Sequence, residues 1–283
     1  MRPDDLIGKY ALDPEETEIF RSYIENRFEN AAENDTFDTD FLLTWEKIVM
    51  YAEIFGAAKA VNDKVTSKRP VDFHSPEGVS IVLTETDCGK IPIISVSDAS
   101  DFEQLVTNIA YNGIRPDNIS TTGASFISGK KTRFIILSSK PYSNVPASEL
   151  GLPDDKEWQE KSMQLRRGHE CTHYFTKQIY GITNNILHDE IMADFIGMYE
   201  AFRFYKAEWF LRFMGIIEGS GARFVFYTKD LPKRVRNAVS ELASQTAYSL
   251  EKWSQTDIFK AMTTSERIKC MCKAGFEGML NFS

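Results

Sequence analysis

The stretch LHDEIMADFIGMYEAF, residues 187 to 202, narrows the possible folds more than any other part of the chain. It reads as an apolar helix that carries Glu190 and Asp194 four apart, and therefore on one face. Carboxylates on such a helix are buried with it, and buried carboxylates need partners. Partners stand just upstream in GHECTHYF, residues 168 to 175, where His169 and His173 bracket Glu170. The chain has 4 histidines in all, and two of them are here.

On an α-helix, residues four apart differ by about 40° in direction and ~6 Å in height. His169 and His173 therefore converge on one ion, and imidazole is a good zinc ligand. Glu170 is rotated about 100° from His169, outside that shell but within reach of a water on its open side. Glu190 completes a His, His, Glu set, and Asp194 accepts the second ring N–H of a ligand histidine and fixes its tautomer. The arrangement requires two antiparallel helices joined by a short Gly-containing turn. Ala193 and Gly197 are small enough for a close approach.

Neighbouring residues offer other readings. His188 and Asp189 are alternatives to Glu190 as third ligand, although His188 departs from the ExxxD spacing. Cys171 is turned about 200° from His169 and is expected to face the core. Tyr174 and Phe175 read as packing residues, and His74 as a surface or locally bonded histidine.

His169-Glu170-Cys171-Thr172-His173 followed by Glu190-Ile191-Met192-Ala193-Asp194 resembles the gluzincin group of zinc metallopeptidases, with its HExxH and later ExxxD helix. The ExxAD form also resembles a broad set of bacterial membrane-associated and intracellular metallopeptidases. The likeness covers residues 169 to 194 and identifies no subfamily over the rest of the chain. The metzincin pattern is absent, because Thr176 and Ile179 stand where it has glycine and histidine. The resemblance implies Zn2+ held by His169, His173 and Glu190, with Glu170 as general base and Asp194 as the carboxylate behind a ligand. It also implies a peptide or protein substrate, bound along an edge strand by backbone pairing. An oxyanion donor from the later helices is expected as well, with Tyr199, Tyr205, Tyr227, Arg236 and Tyr248 as candidates.

The remaining chain is compatible with a helix-rich, zincin-like α+β fold, with a small, mostly antiparallel sheet ahead of the HExxH helix. Asp13-Pro14 opens a helix that runs to about Phe28, and a second is expected from about Thr39 to Lys64. Strands are expected at Val79–Thr86, Ile91–Val96, Ile119–Ser128 and Thr132–Ser138, with a helix over Asp101–Tyr111 and a turn at Ser128–Lys131. Either of the last two strands is a candidate for the substrate edge. Helices are then expected from Pro153 to Gly181, 186 to 206, 206 to 217, 231 to 250 and 255 to 275, the second capped by Asn184 and Asn185. Ala222–Thr228 reads as a short strand. Residues 1–66 are expected as a helical N-terminal region and 67–283 as the metallopeptidase domain.

Composition bounds the partners. The formal net charge of -8 opposes nucleic acid at long range, and Lys233, Arg234 and Arg236 read as a solvated helix end. The 4 cysteines form no CxxC pair, which fits reduced thiols in a cytoplasmic protein. No stretch reads as a signal peptide or membrane span. Two other function classes share these features. One is a non-catalytic protein that keeps the zincin helices for binding. The other is a regulatory or toxin-related protein acting on one partner, recognised by the N-terminal region. The intact Glu170 favours catalysis, since a structural metal has no need of a base.

Overall fold

Helix ends in this chain are set by local side-chain chemistry. Asp13 accepts from the Glu16 amide at 2.9 Å and the Glu16 carboxylate returns to the Asp13 amide, which starts the helix at Pro14. Asp98 accepts from the Ser100 and Asp101 amides, and Asp154 from that of Lys156. At the other end, Gly181 takes the left-handed conformation with φ 67° and stops the HExxH helix where the sequence places its stop.

The computed structural model describes residues 2–66, 68–129, 133–182 and 187–282. Its helices are α1 (Pro3–Lys9), α2 (Pro14–Ile24), α3 (Asp40–Phe55), α4 (Ala57–Ala60), α5 (Ala99–Ala110), α6 (Asp155–Tyr180) and α7 (Leu187–Phe202). They continue with α8 (Ala207–Met214), α9 (Phe224–Thr228), α10 (Lys233–Ser254), α11 (Asp257–Ala261) and α12 (Thr264–Met279). Four strands, β1 (Val79–Thr86), β2 (Gly89–Val96), β3 (Ala124–Ser128) and β4 (Arg133–Ser138), form one sheet in the order β1-β2-β4-β3. The α+β, helix-rich architecture expected from the sequence is thus present. Asn184 and Asn185, expected to cap α7, and part of the turn after Ser128 lie outside the described residues.

The sheet is mixed. β1/β2 and β3/β4 are antiparallel, whereas β2/β4 is parallel, with Ile93 opposite Ile135 and Val96 opposite Ser138. The parallel pair arises because the chain passes through α5 to the outer strand β3, which runs opposite to β2, and then turns back so that β4 fills the place between them in the direction of β2. β4 is buried along its whole length, so β3 is the edge strand on its side of the sheet.

Several other elements differ from the sequence reading. The strand expected from Ile119 starts only at Ala124, after a 3₁₀ turn at Ile119–Thr121. The helix expected over 255 to 275 is divided into α11 and α12 by a new cap at Thr263. The long helix expected to about Lys64 breaks at Gly56, whose φ of 88° no β-branched or bulky residue adopts easily; α4 and a π turn at Val61–Val65 follow. Ala222–Thr228 contains a helical turn, α9, closed by Thr228 Oγ1 donating to the Phe224 carbonyl at 2.8 Å. So short an apolar run carries too little period to separate helix from strand.

The buried apolar residues form one cluster extending from Leu6 to Met279. The N-terminal helices join it through the C-terminal ones: Tyr10 Oη donates to Glu241 at 2.6 Å, and Tyr23 Oη to the Tyr227 carbonyl at 3.2 Å. Cys171 packs against this core as expected, and the described helices include none long and apolar enough to cross a membrane.

α6 and α7 pack on each other along most of α7, with His188, Asp189, Glu190 and Asp194 all buried. Their closest approach is at two glycines. A Cβ on Gly197 would lie 2.4 Å from the Leu165 carbonyl oxygen and 3.0 Å from the His169 nitrogen; one on Gly168 would lie 2.8 Å from Gly197 Cα. Gly197→Ala is therefore expected to push the helices apart and to cost about 1–3 kcal/mol. Gly8→Ala, where an added Cβ meets nothing within 4 Å, serves as the control. Urea unfolding measures both; equal midpoints for Gly197→Ala and wild type would contradict the backbone contact.

Candidate metal centre

The crossing of α6 and α7 brings three ligand atoms together. His169 Nε2 and His173 Nε2 are 3.0 Å apart. Glu190 reaches between them from α7, with Oε2 3.6 Å from His169 Nε2 and Oε1 3.5 Å from His173 Nε2. All three residues are buried, and their ligand atoms lie within 4.8 Å of one another.

The other face of each imidazole meets a carboxylate. His169 Nδ1 is 2.7 Å from Asp194 Oδ1, and His173 Nδ1 is 3.0 Å from Asp189 Oδ2. The Asp189 oxygens have no other hydrogen-bond partner among the described residues, so this side chain is committed to His173. Asp189 thus stands behind a histidine rather than beside Glu190, where the sequence offered it as a rival. Both Nδ1 atoms act as donors, which leaves the Nε2 lone pairs of neutral rings facing each other and the Glu190 carboxylate. Such a point needs a positive charge. A proton supplies it in part: burial disfavours the His173 imidazolium, but Asp189, Glu190 and Glu170 outweigh burial and push its pKa up to about 10. A divalent cation satisfies all three groups at once. Two imidazoles and a carboxylate, with their outer shell in place, suit zinc.

Arg223 and Tyr142 hold the back of the site, and no motif in the sequence marks either. Arg223 Nη2 donates to Glu190 Oε2 at 2.6 Å, and Nη1 to Asp194 Oδ2 at 2.9 Å. Tyr142 Oη donates to Asp194 Oδ1 and receives Arg223 Nη1 at 3.0 Å. Burial alone would raise the Asp194 carboxyl; Arg223, His169 and Tyr142 hold it down at about 2. Burial also keeps the Tyr142 phenol protonated, with its pKa well above the ordinary value. Arg223 lies at the start of α9, the turn that the sequence presented as strand.

A cleft of about 660 Å³ opens over this centre. One side is formed by His169, Glu170, His173 and Glu190, the other by Gly123, Ala124, Phe126 and Ser128 of β3 and its approach. The edge strand is therefore β3, and the alternative, β4, is interior. Glu170 lines the cleft and is half-buried, on a different side of α6 from the converging rings. Of the five proposed oxyanion donors, Tyr227 alone lines it. Tyr199 packs on Phe259, Tyr205 on Phe195, and Arg236 donates to the Thr228, Lys229 and Leu231 carbonyls, while Tyr248 is exposed.

The other histidines are elsewhere. His188 lies between the rings of Phe28 and Phe276, where burial lowers its pKa to about 4. His74 sits on the surface, with Nδ1 2.9 Å from Asp101 Oδ1. A larger hollow of about 810 Å³, between α2 and the end of α12, contains none of the candidate ligands.

Residues 130–281, more than half of the chain, match the model of a family described as a family of unknown function, DUF7005. The match takes in β4 and both helices of the centre. No curated protein and no solved structure matches the chain.

Asp194→Asn and Asp189→Asn are each expected to weaken zinc binding about 10–100-fold, measured by competition with a chromogenic chelator. A pH dependence follows for the metal-free protein. His173 keeps its proton to about 10 when folded, against the ordinary 6.5 when unfolded. The resulting stabilisation is complete below pH 6.5 and is lost as the pH rises toward 10. Unfolding free energy of chelator-treated protein should fall across that window, and His173→Gln should flatten the slope.

Proposed function

The chain belongs to the DUF7005 family, whose function is unknown, and from that premise we propose that it is a zinc-dependent metallopeptidase. The observation that carries this reading is the convergence of His169, His173 and Glu190 at the floor of a cleft that also holds Glu170. A purely structural metal is enclosed by its ligands, whereas these three share the cleft with the Glu170 carboxylate and an open strand edge.

Bound at His169, His173 and Glu190, zinc supplies Lewis acidity, lowering the pKa of water and polarising a carbonyl. The chain's own groups do the rest. Glu170 takes a proton from the attacking water at its carboxylate and delivers it to the departing amine. The Asp194 and Asp189 carboxylates hold the two imidazoles in the tautomer that presents Nε2 to the cleft. The Tyr227 phenol, kept protonated by burial and by Glu190, is the donor placed to meet negative charge developing on a carbonyl oxygen. β3 offers unpaired backbone groups on its outer side to an extended peptide.

Glu170→Gln is expected to lower peptide hydrolysis by about 10²–10⁴-fold while zinc stays stoichiometric by elemental analysis. His173→Ala is expected to lose both. Purified protein that carries no zinc, takes none up, and is unchanged by chelator would sink the proposal. Stoichiometric zinc with no hydrolysis, and no effect of Glu170→Gln on any substrate, would leave a binding protein built on the same helices.

A further inference from the structure

The cleft has a direction that can be read from the contacts between α6 and β3. At one end, a Cβ on Gly123 would lie 2.4 Å from Arg166 Nε. At the other, the Phe126 ring is 6.3 Å from that of Tyr174 and 5.3 Å from Lys177 Nζ. β3 and α6 therefore run side by side in the same sense. Arg166 stands at one end of the groove, Lys177 at the other, and Glu170 between them. Arg166 to Lys177 is about three helical turns, or ~16 Å, which accommodates about five residues of extended chain.

Three cations line this cleft, and two are already committed. Arg223 is paired with Glu190 and Asp194. Arg166 donates to the carbonyls of Ser138, Lys140 and Pro141. Lys177 has only the Phe126 ring beneath it, and no carboxylate within ion-pair distance among the described residues. Burial and the nearby Arg133 both disfavour its charge, lowering its pKa. A half-buried ammonium held against an aromatic ring in a binding groove, facing like charge, is a receptor for an anion supplied from outside.

We propose that Lys177 makes the cleft select peptides carrying an acidic side chain two or three residues from the bond that is cut. The distance follows from the two helical turns between Glu170 and Lys177, ~10 Å, or about three residues of extended chain. The inference rests on the peptidase reading and names the substrate class for the same site. It is also the reverse of what the acidic chain as a whole favours, since a net charge of -8 repels acidic peptides at long range. Selection therefore comes from the local cation.

The test uses the zinc-loaded protein and peptides blocked at both ends, each with one Glu placed at successive positions around the cut bond, and a Gln twin for each. A further peptide carries its only negative charge as a free terminal carboxylate at the favoured position. The expected result is a preference for Glu over Gln of about tenfold in kcat/KM at one position. Lys177→Gln should bring that ratio close to one, Lys177→Arg should keep it, and Lys177→Glu should turn it toward a Lys-containing peptide. No preference in the wild type, or a preference that survives Lys177→Gln, overturns the inference, as does selection confined to the terminal carboxylate. Binding of the same labelled peptides to zinc-loaded Glu170→Gln, followed by anisotropy, separates the two proposals. If nothing is cut but Glu peptides still bind more tightly through Lys177, the peptidase reading falls alone. If peptides are cut without charge discrimination, this inference falls alone.

Discussion

Everything at the centre depends on how closely two helices can approach. Side chains on helices normally keep backbones 8–10 Å apart at the axes. At Gly168 and Gly197 there is nothing to hold them apart, and the backbone of one helix rests on that of the other. The reach of a glutamate is short, so Glu190 spans to two imidazoles on α6 only because the crossing lies nearby. Gly197 is two turns from Glu190, and Gly168 is adjacent to His169. The site's dimensions are thus a property of two residues that carry no chemistry.

The second constraint is electrostatic. Three carboxylates, Asp189, Glu190 and Asp194, are buried within two turns of α7. Left alone they would not ionise there. Each is held by a different arrangement: Asp189 by His173, Asp194 by His169, Tyr142 and Arg223, and Glu190 by Arg223 and the two imidazoles. Arg223 is shared by Glu190 and Asp194, so it offsets part of their charge and leaves the rest to the imidazoles. On the proposed zinc reading, a cation would add to charge compensation that the chain already begins, in contrast to small domains whose metal supplies most of their folding energy.

The parts of this arrangement that repeat with helical period were legible in the sequence. His169, His173, Glu190 and Asp194 are related by steps of four, and that spacing places them on facing sides of α6 and α7 before any coordinates are known. Gly197 was legible as a small residue on the same face. Arg223 and Tyr142 were not, because both come from short turns far along the chain, where no period exists and only tertiary packing sets direction. Asp189 was visible but assigned as a competitor for the metal; its actual place behind His173 depends on the rotation of α7 about its axis, which spacing alone leaves open. The parallel pairing of β2 with β4 was hidden for a related reason. Hairpin signals are local, whereas the insertion of β4 between β2 and β3 is decided by how the β3/β4 hairpin as a whole docks on the sheet.

The edge strand β3 has five residues, and its shortness has two sides. A strand of that length would form few backbone hydrogen bonds with a guest peptide, so main-chain pairing alone would give weak retention and the side chains around it would decide which guests stay. The same shortness guards against self-templating. A long bare edge invites another copy of the protein to add its own strand and seed aggregates, whereas a brief one, flanked by a groove bearing positive charge, offers an identical neighbour little to zip onto. On the proposed peptidase reading, an edge that must stay open for one kind of chain is thereby kept from becoming sticky to all of them.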